Sequence, residues 1–220
     1  MVKQDRAART RQSLIRAAAE VFAREGFAPA SLTAISRGAG VSNGALHFHF
    51  ESKKSLARAV EEEAVQVVRD IIGKALDGGG GGLRTLMGTT RELMGRLGDD
   101  IVLRAGFELG GDPARGEEES LLRSEWQQWV ESMLRRAEEE DELAEGVSPG
   151  DALPAIMAAT VGFEVLGAED KAWLSEETID GFWELVLPGL VGGREQPVPV
   201  GPPSVEASGH RVVRPAQPTD

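Results

Sequence analysis

Apolar residues recur every three or four positions along most of the chain, which is the spacing of amphipathic helices that bury one face. Together with capping residues, this spacing predicts nine helices, over residues 6–25, 32–39, 43–49, 53–77, 83–97, 99–110, 118–141, 149–168 and 175–191. No stretch alternates apolar and polar residues for long enough to predict a strand. The sequence therefore predicts an all-α fold.

Two segments interrupt the helical pattern. Residues 78–82 are five consecutive glycines, and each glycine inside a helix costs about 1 kcal/mol relative to alanine, so this run predicts a flexible linker. Residues 192–220 hold six of the eleven prolines and no apolar periodicity, which predicts a disordered tail. We expect a head over residues 1–52, a body over residues 53–191 and the tail over residues 192–220.

The helices predicted over 32–39 and 43–49 form a helix-turn-helix. Ser31 and Ser42 are favourable N-cap residues, and Gly40 suits a tight turn between the helices. Leu46 and Phe50 anchor the second helix inward, so its outer face carries small or hydrogen-bonding side chains that a major groove admits. The predicted DNA contacts are Thr33, Arg37, Ser42, Asn43, Gly44, Ala45, His47, Phe48, His49 and Lys53.

Within that set we expect two kinds of contact. Lys53, the neighbouring Lys54, His49 and the Ser42 cap are expected to contact phosphates, and Asn43, Gly44, Ala45 and His47 to face bases. Thr33 and Arg37 are expected to reach the backbone or a base.

Net charge changes sign along the chain, although the whole sequence carries −12. Residues 1–60 hold ten Lys and Arg against four Asp and Glu, a charge of +6, and the remainder carries −18. A basic end on an acidic body indicates a protein that meets phosphate at that end only. The basic residues Lys3, Arg6, Arg9 and Arg11 either lie along the DNA backbone or the minor groove, or form a solvated helix start.

Residues 31–56 resemble the DNA-binding domain of the tetracycline-repressor (TetR) family, whose signature is roughly T-x-x-x-I-A-x-x-A-G-V-S-x-G-x-L-Y-x-H-F-x-x-K-x-x-L. The matching residues are Ser31, Ile35, Ala39, Gly40, Val41, Ser42, Gly44, Leu46, His49, Phe50, Lys53 and Leu56. Asn43 replaces the usual lysine and His47 the usual tyrosine. The resemblance implies a three-helix DNA-binding head, a helical ligand-binding and dimerisation body, a homodimer, operator DNA and a small-molecule inducer.

The opening KQDRAARTRQSLIRAAAEVF, the segment LHFHF and the W-x16-L spacing from Trp126 to Leu143 resemble the γ-butyrolactone receptor branch of that family. In that branch the residue matching Trp126 belongs to the pocket for a signalling lactone. The expected ligand contacts are Trp126, Trp129, Val130, Met133 and Phe163. Plain core packing of the tryptophans is the alternative, since aromatic residues at helical spacing are commonly buried.

Two further alternatives stay open from the sequence. The protein is a repressor released by a butyrolactone or related apolar molecule, or a drug-sensing repressor of an efflux gene; acidic residues in the pocket would favour the second. The apolar faces of the last two helices either form a four-helix bundle with a second subunit or belong to the internal core. These faces comprise Leu153, Ile156, Met157, Thr160, Val161 and Val165, and Ile179, Phe182, Trp183, Val186, Leu187 and Leu190.

Composition argues against several other functions. The chain has no cysteine, and its three histidines, His47, His49 and His210, are not at metal-ligand spacing. The acidic runs 61–63, 117–119 and 138–142 are interpreted as solvated faces. We therefore expect no enzyme activity, cofactor or metal. The longest apolar stretch, residues 152–163, contains Pro154 and is interpreted as too short to cross a bilayer, so we expect a soluble, cytoplasmic protein with no membrane contact.

Overall fold

The computed structural model describes residues 2–115 and 120–191, and the side chains from residue 5 onward within those ranges. In this part of the chain there are nine α-helices and no strand, which confirms the all-α prediction. The helices are α1 (Val2–Glu25), α2 (Leu32–Gly38), α3 (Asn43–His49), α4 (Lys53–Asp77), α5 (Gly82–Asp99), α6 (Ile101–Gly111), α7 (Leu121–Glu139), α8 (Pro149–Glu169) and α9 (Glu176–Leu190). Short 3-10 turns occupy Pro113–Arg115 and Lys171–Leu174.

Serine residues determine where most helices start. At six helix starts a serine hydroxyl accepts a hydrogen bond from a backbone N–H of the first turn, which satisfies one of the otherwise unpaired donors there. These serines are Ser31, Ser42, Ser52, Ser120, Ser148 and Ser175. Because such caps are local signals, the observed helix bounds lie close to the predicted ones.

Apolar side chains form two cores. One, in the head, contains Leu14, Phe22, Ile35, Leu46 and Leu56, among others, and the second fills the body around Trp126 and Trp183. Helix α4 contributes to both cores, and α6, which lies in the body, places Ala105 and Leu109 in the head core. The head and the body are therefore joined through α4 and α6, while the division at residue 52 stays a prediction.

The glycine run is not a linker along its whole length. Gly79 and Gly80 have positive φ angles of 67° and 118° and make the turn after α4. Gly82, in contrast, is the first residue of α5 and is buried, and a Cβ placed there would lie 2.5 Å from the carbonyl oxygen of Met133. The absence of a side chain at Gly82 lets α5 start directly against α7, so the prediction of a flexible linker is wrong at this residue.

Two acidic runs are solvated only in part. Glu61 is 1% exposed and its carboxylate pairs with Arg115 at 2.7 Å. Glu140 and Glu142 accept hydrogen bonds from the N–H groups of Gly82 and Leu83, at 3.0 and 2.8 Å, and so cap the start of α5. The third run, residues 117–119, lies outside the described residues, as do His210 and the predicted tail.

Helix α8 requires a correction to the membrane argument. It extends over 21 residues, and by length and composition alone it is apolar enough to cross a bilayer. Only 28% of its most apolar stretch is buried inside the structure. The core helix of a soluble protein passes the same test. Thr160 and Phe163 of this helix face the body core, and Val165 and Leu166 are exposed.

Candidate DNA-binding surface and ligand cavity

Two caps and one turn hold α3 against α2. The Ser31 hydroxyl accepts from Ala34 N at 3.1 Å and the Ser42 hydroxyl from Ala45 N at 3.2 Å, as the sequence predicted. Gly40 has a φ of 67°, a left-handed conformation that side chains disfavour, and it makes the turn between the two helices. Leu46 is fully buried under α3. The helix therefore presents a fixed outer face.

Small and aromatic groups make up that outer face. Asn43, Gly44, His47 and Phe48 are exposed, and Ala45 and His49 are half-buried. Phe48 is 82% exposed and its ring meets the His49 ring edge-on at 5.2 Å. An exposed apolar ring is unfavourable in water but can contact a thymine methyl group in a major groove. The face has the composition of a base-reading surface.

Asn43 is partly occupied by hydrogen bonds within the protein. Its Oδ1 accepts from the Ser36 hydroxyl at 2.7 Å, and its Nδ2 donates to the Thr33 hydroxyl at 3.3 Å. These bonds leave one amide hydrogen for a base edge and turn the Thr33 hydroxyl into an outward donor. Asn43 therefore links α3 to α2 and is also exposed on the outer face of α3.

The ammonium group of Lys53 makes hydrogen bonds inside the head, and its predicted phosphate contact stays a prediction. Nζ donates to the carbonyl oxygens of Phe27, Ala28 and Ala30 at 2.7, 2.8 and 3.0 Å, and it lies 4.7 Å from the centre of the Phe27 ring. An ammonium has three hydrogens, so these bonds use its full donor capacity. Lys53 closes the loop between α1 and α2, and a phosphate contact would require breaking these bonds.

Other basic groups lie around α3. Arg37 on α2 and Lys54 at the start of α4 are exposed. The guanidinium of Arg11 on α1 lies 5.4 Å from the centre of the Phe50 ring, at the end of α3. The N-terminal arginines of α1 therefore belong to a helix that reaches the end of α3.

In the body, a narrow cavity lies beside Trp126. It encloses about 10 Å³, which is room for about one water molecule. Its walls come from four helices, α5 to α8, and are formed by Leu93, Met94, Phe107, Arg123, Trp126, Met157, Thr160, Val161 and Glu164. The Trp126 indole N–H donates to the Thr160 hydroxyl at 3.3 Å.

Of the five predicted ligand contacts, only Trp126 lines this cavity. Trp129 stacks on Trp126 with a 4.9 Å separation of ring centres, and Phe163 packs edge-on against Phe182. Val130 and Met133 are buried in the body core. Sequence reasoning missed Arg123 and Glu164, although Arg123 is three residues from Trp126, and Glu164 is four from Thr160, on the same helix faces.

Partly buried charges form the polar side of the cavity. Arg123 donates to both Glu164 oxygens, at 2.8 and 3.1 Å, and its Nε–H is buried with no hydrogen-bond partner among the described residues. Burial raises the pKa of Glu164, and Arg123 opposes that rise. Burial also raises the pKa of Glu108, on the adjoining α6, to about 7, against the attraction of Arg104 and with a further contribution from Glu164.

Helix α6 connects this cavity to the head. Phe107 lines the cavity, while Leu109 packs in the head core. At the end of α6, the Asp112 carboxylate accepts from Phe27 N at 2.8 Å, in the loop that Lys53 also holds. A Cβ on Gly106 would lie 2.5 Å from the Ala64 Cβ, so α6 has no slack against α4.

A helix-turn-helix head joined to an all-α body with an internal cavity defines a DNA-binding regulator. Residues 14–60 match the family model for the bacterial regulatory proteins of the tetR family. The chain is 28% identical to the A-factor receptor protein of Streptomyces griseus over 197 residues, covering 86% of this chain and 67% of that protein.

Two solved structures agree with that match. A γ-butyrolactone receptor described as ArpA-like superposes with a TM-score of 0.72 at 27% identity, covering 86% of this chain and 91% of that one. The TetR family protein CprB from Streptomyces coelicolor, solved with its operator sequence, superposes with a TM-score of 0.68 at 30% identity, covering 84% and 90%. The chain belongs to the TetR family, whose members are transcriptional regulators rather than enzymes.

Proposed function

We propose that this protein is a homodimeric repressor that binds a pseudo-palindromic operator and is released when a small apolar molecule, such as a γ-butyrolactone, enters the cavity beside Trp126. One observation carries the proposal: α6 contributes both to the cavity wall and to the head core. A ligand that moves α6 therefore acts on the position of the DNA-binding helices.

On the DNA side, two heads related by a twofold axis would place α3 of each subunit in successive major grooves. Gly44, Ala45, His47, Phe48 and the remaining amide hydrogen of Asn43 would face bases. Thr33, Arg37, His49 and the start of α3 at Ser42 would contact the phosphate backbone. Lys53 would act indirectly, because it holds the α1–α2 loop.

For the dimer, the exposed apolar residues of α8 and α9 supply the contact surface. Val165, Leu166 and Leu185 are exposed, and Leu185 is 66% exposed. A Cβ added at Gly162 or Gly181 would meet nothing within 4 Å, so small positions flank these residues and permit close helix approach. The α8 and α9 helices of two subunits would then form a four-helix bundle. Ile156, Thr160, Ile179 and Trp183, predicted on these faces, are buried inside one subunit.

For the ligand, the cavity offers an apolar wall and a few hydrogen-bonding groups. The buried Nε–H of Arg123 is a donor that a lactone carbonyl would satisfy, and Glu164 accepts from a ligand hydroxyl. Because the cavity encloses only about 10 Å³, a lactone with an alkyl chain must push its walls apart. Phe107 is one of those walls, so binding would displace α6.

The test is a gel-shift with DNA from upstream of the protein's own gene, repeated with γ-butyrolactones. We expect the wild type to bind this DNA and to be released by a lactone. Trp126→Phe and Thr160→Val should bind DNA normally and require a higher lactone concentration for release, because each changes the shape and polarity of a wall that the lactone would contact. Trp173→Phe is the matched control, since Trp173 is 41% exposed and does not line the cavity.

A promoter duplex that the wild type does not bind at modest salt would refute the repressor assignment. Normal release of both cavity variants would reject the cavity as the lactone site while leaving DNA binding intact.

The drug-sensing alternative has one observation in its favour: an acidic residue, Glu164, lines the cavity, with Glu108 close by. The pairing of Glu164 with Arg123 neutralises the charge of Glu164, which argues for an uncharged ligand. A cationic dye that releases the protein from DNA, with release lost in Glu164→Gln, would establish the alternative. Release by lactones and not by cationic dyes would exclude it.

A further inference from the structure

A second cavity, which we call the α5–α9 groove, lies between α5, α9 and the loop after α7, and has a volume of about 700 Å³. That volume is in the range of small-molecule sites. It is lined by residues of α5 from Leu83 to Arg91, by Glu142, and by residues from Asp180 to Val191, and it shares no lining residue with the cavity beside Trp126. The groove is therefore a separate candidate site.

Three ties hold the walls of the groove in place. Arg91 Nε donates to the Asp180 carboxylate at 2.9 Å and joins α5 to α9. The Glu142 carboxylate accepts from Leu83 N at 2.8 Å, and Ala144 N donates to Leu190 O at 2.7 Å, so the loop after α7 is tied to both helices. A cavity held on all three sides is already formed before a ligand arrives, which lowers the cost of binding.

The floor of the groove is apolar. Leu83 and Trp183 are buried, and Met87 and Leu187 are half-buried beside them. Gly88 has no side chain in this wall, and a Cβ placed there would meet nothing within 4 Å. An aliphatic chain would find an apolar surface and open space here.

The polar groups of the groove leave only donors unmatched. Asp180 is balanced by Arg91, and Glu142 by the N-terminal end of α5, where the helix dipole is positive. Arg84 makes no ion pair among the described residues, and the buried Trp183 indole N–H has no hydrogen-bond partner there. An unpaired cation beside an apolar floor complements an anion with an apolar tail.

We infer that the α5–α9 groove binds an aliphatic carboxylate, with the alkyl chain along Leu83, Met87 and Leu187 and the carboxylate at Arg84. This site is additional to the proposed lactone cavity. The carboxylate would gain charge-assisted hydrogen bonds from a guanidinium that makes no ion pair within residues 2–115 and 120–191.

Isothermal titration of the full chain with sodium decanoate, below its micelle concentration, tests this site, with decan-1-ol as the uncharged comparison. We expect one decanoate per chain and binding of decanol roughly tenfold weaker, because decanol cannot make the charge-assisted bonds. Arg84→Gln should remove the preference for the acid over the alcohol.

Gly88→Leu should abolish decanoate binding, because its side chain fills the groove. Gly95→Leu is the matched control: it lies on the same helix, is exposed, and also has nothing within 4 Å of an added Cβ, but it does not line the groove. Both changes replace a helix glycine, so neither should lower the thermal midpoint. Unchanged decanoate binding by Gly88→Leu, equal affinity for acid and alcohol in the wild type, or no binding by the wild type would each overturn the inference.

Discussion

The head and the body hold their polar groups in different ways. In the helix-turn-helix of the head, the hydrogen bonds that shape α2 and α3 join residues close in sequence, such as the Ser31 and Ser42 caps and the Asn43 bonds to Ser36 and Thr33. In the body, ionic groups are buried between distant residues, including Glu61 with Arg115 and Arg123 with Glu164. The outer face of a helix-turn-helix can therefore be built from local sequence signals. A cavity with charged walls depends instead on residue pairs that only the tertiary fold brings together.

The largest effect should come from breaking the Glu61–Arg115 pair. Arg115→Met leaves a carboxylate that is 1% exposed without this partner, and removing one member of a buried ion pair costs about 3–5 kcal/mol. Urea unfolding followed by circular dichroism measures the loss. Adding Glu61→Gln to Arg115→Met should restore much of the lost stability, because the double variant no longer buries the Glu61 carboxylate.

A neighbouring pair on α4 serves as the control for that prediction. Arg58 and Glu62 lie one turn apart at the surface, with an N–O distance of 3.2 Å, and exposed pairs contribute about 0–1 kcal/mol. Arg58→Met should therefore change the free energy of unfolding far less than Arg115→Met. Equal losses from the two changes would show that burial does not distinguish these pairs.

Lys53→Met should have the next largest effect, and it separates a structural role from a phosphate contact. The change leaves three carbonyl oxygens of the α1–α2 loop without their donor, and we expect a loss of about 2 kcal/mol in head stability, in line with the cost of unpaired buried groups. Operator affinity should fall, but the slope of log affinity against log salt should stay the same.

Arg37→Gln is the comparison for Lys53, because Arg37 is exposed on α2. If Arg37 contacts a phosphate, its removal should reduce the salt slope by about 0.9. A reduced slope for Lys53→Met with unchanged stability would restore the phosphate role for that lysine.

How far the sequence predicts the structure follows the same division. The caps Ser31 and Ser42, the turn at Gly40 and the buried Leu46 are local signals, so the helix-turn-helix and its outer face follow from them. The internal bonds of Lys53 were not predicted, because the acceptors are the backbone carbonyl oxygens of Phe27, Ala28 and Ala30, more than twenty residues away. Every residue has a backbone carbonyl oxygen, so no residue type in the sequence marks these three as the acceptors.

The cavity and the ion pairs of the body could not be predicted from the sequence, for a related reason. Helical spacing places Trp126 on an inward face, but it does not show which residues of other helices lie opposite. Phe107, Arg123 and Glu164 meet at the cavity only after α6, α7 and α8 pack together. Glu61 looked solvated because its neighbours in sequence are acidic, whereas its partner, Arg115, is 54 residues away.

Gly106→Ala tests the contact between α6 and α4, which join the head to the body. The new methyl group would lie 2.5 Å from the Ala64 Cβ, and overpacking of this kind costs about 1–3 kcal/mol. We expect α6 to shift relative to α4 and operator affinity to fall, although Gly106 touches neither α3 nor the Trp126 cavity. A gel-shift measures the operator affinity and urea unfolding measures the stability. Gly98→Ala is the control, because an added Cβ there meets nothing within 4 Å.

Asn43→Ala should have a smaller effect on DNA binding. The change removes the two bonds that join α3 to α2 and leaves the Thr33 hydroxyl unoriented, which we expect to cost about 1 kcal/mol of operator affinity. If the remaining amide hydrogen also reads a base, the preference at one operator position should relax, as a binding-site selection experiment would detect. An unchanged affinity and an unchanged profile would remove Asn43 from the DNA-binding surface.

The smallest effect should be a pH dependence of stability that comes from Glu108 in the body. Burial raises the pKa of Glu108 from 4.5 to about 7. The folded state therefore holds this proton more tightly than the unfolded chain, so the associated stability is complete below about pH 4.5 and is lost as the pH rises through about 7. Glu108→Gln cannot ionise, so its thermal midpoint should exceed that of the wild type by a few degrees at pH 8. The two midpoints should converge towards pH 5, whereas a constant difference from pH 5 to pH 8 would mean that Glu108 does not titrate in this range.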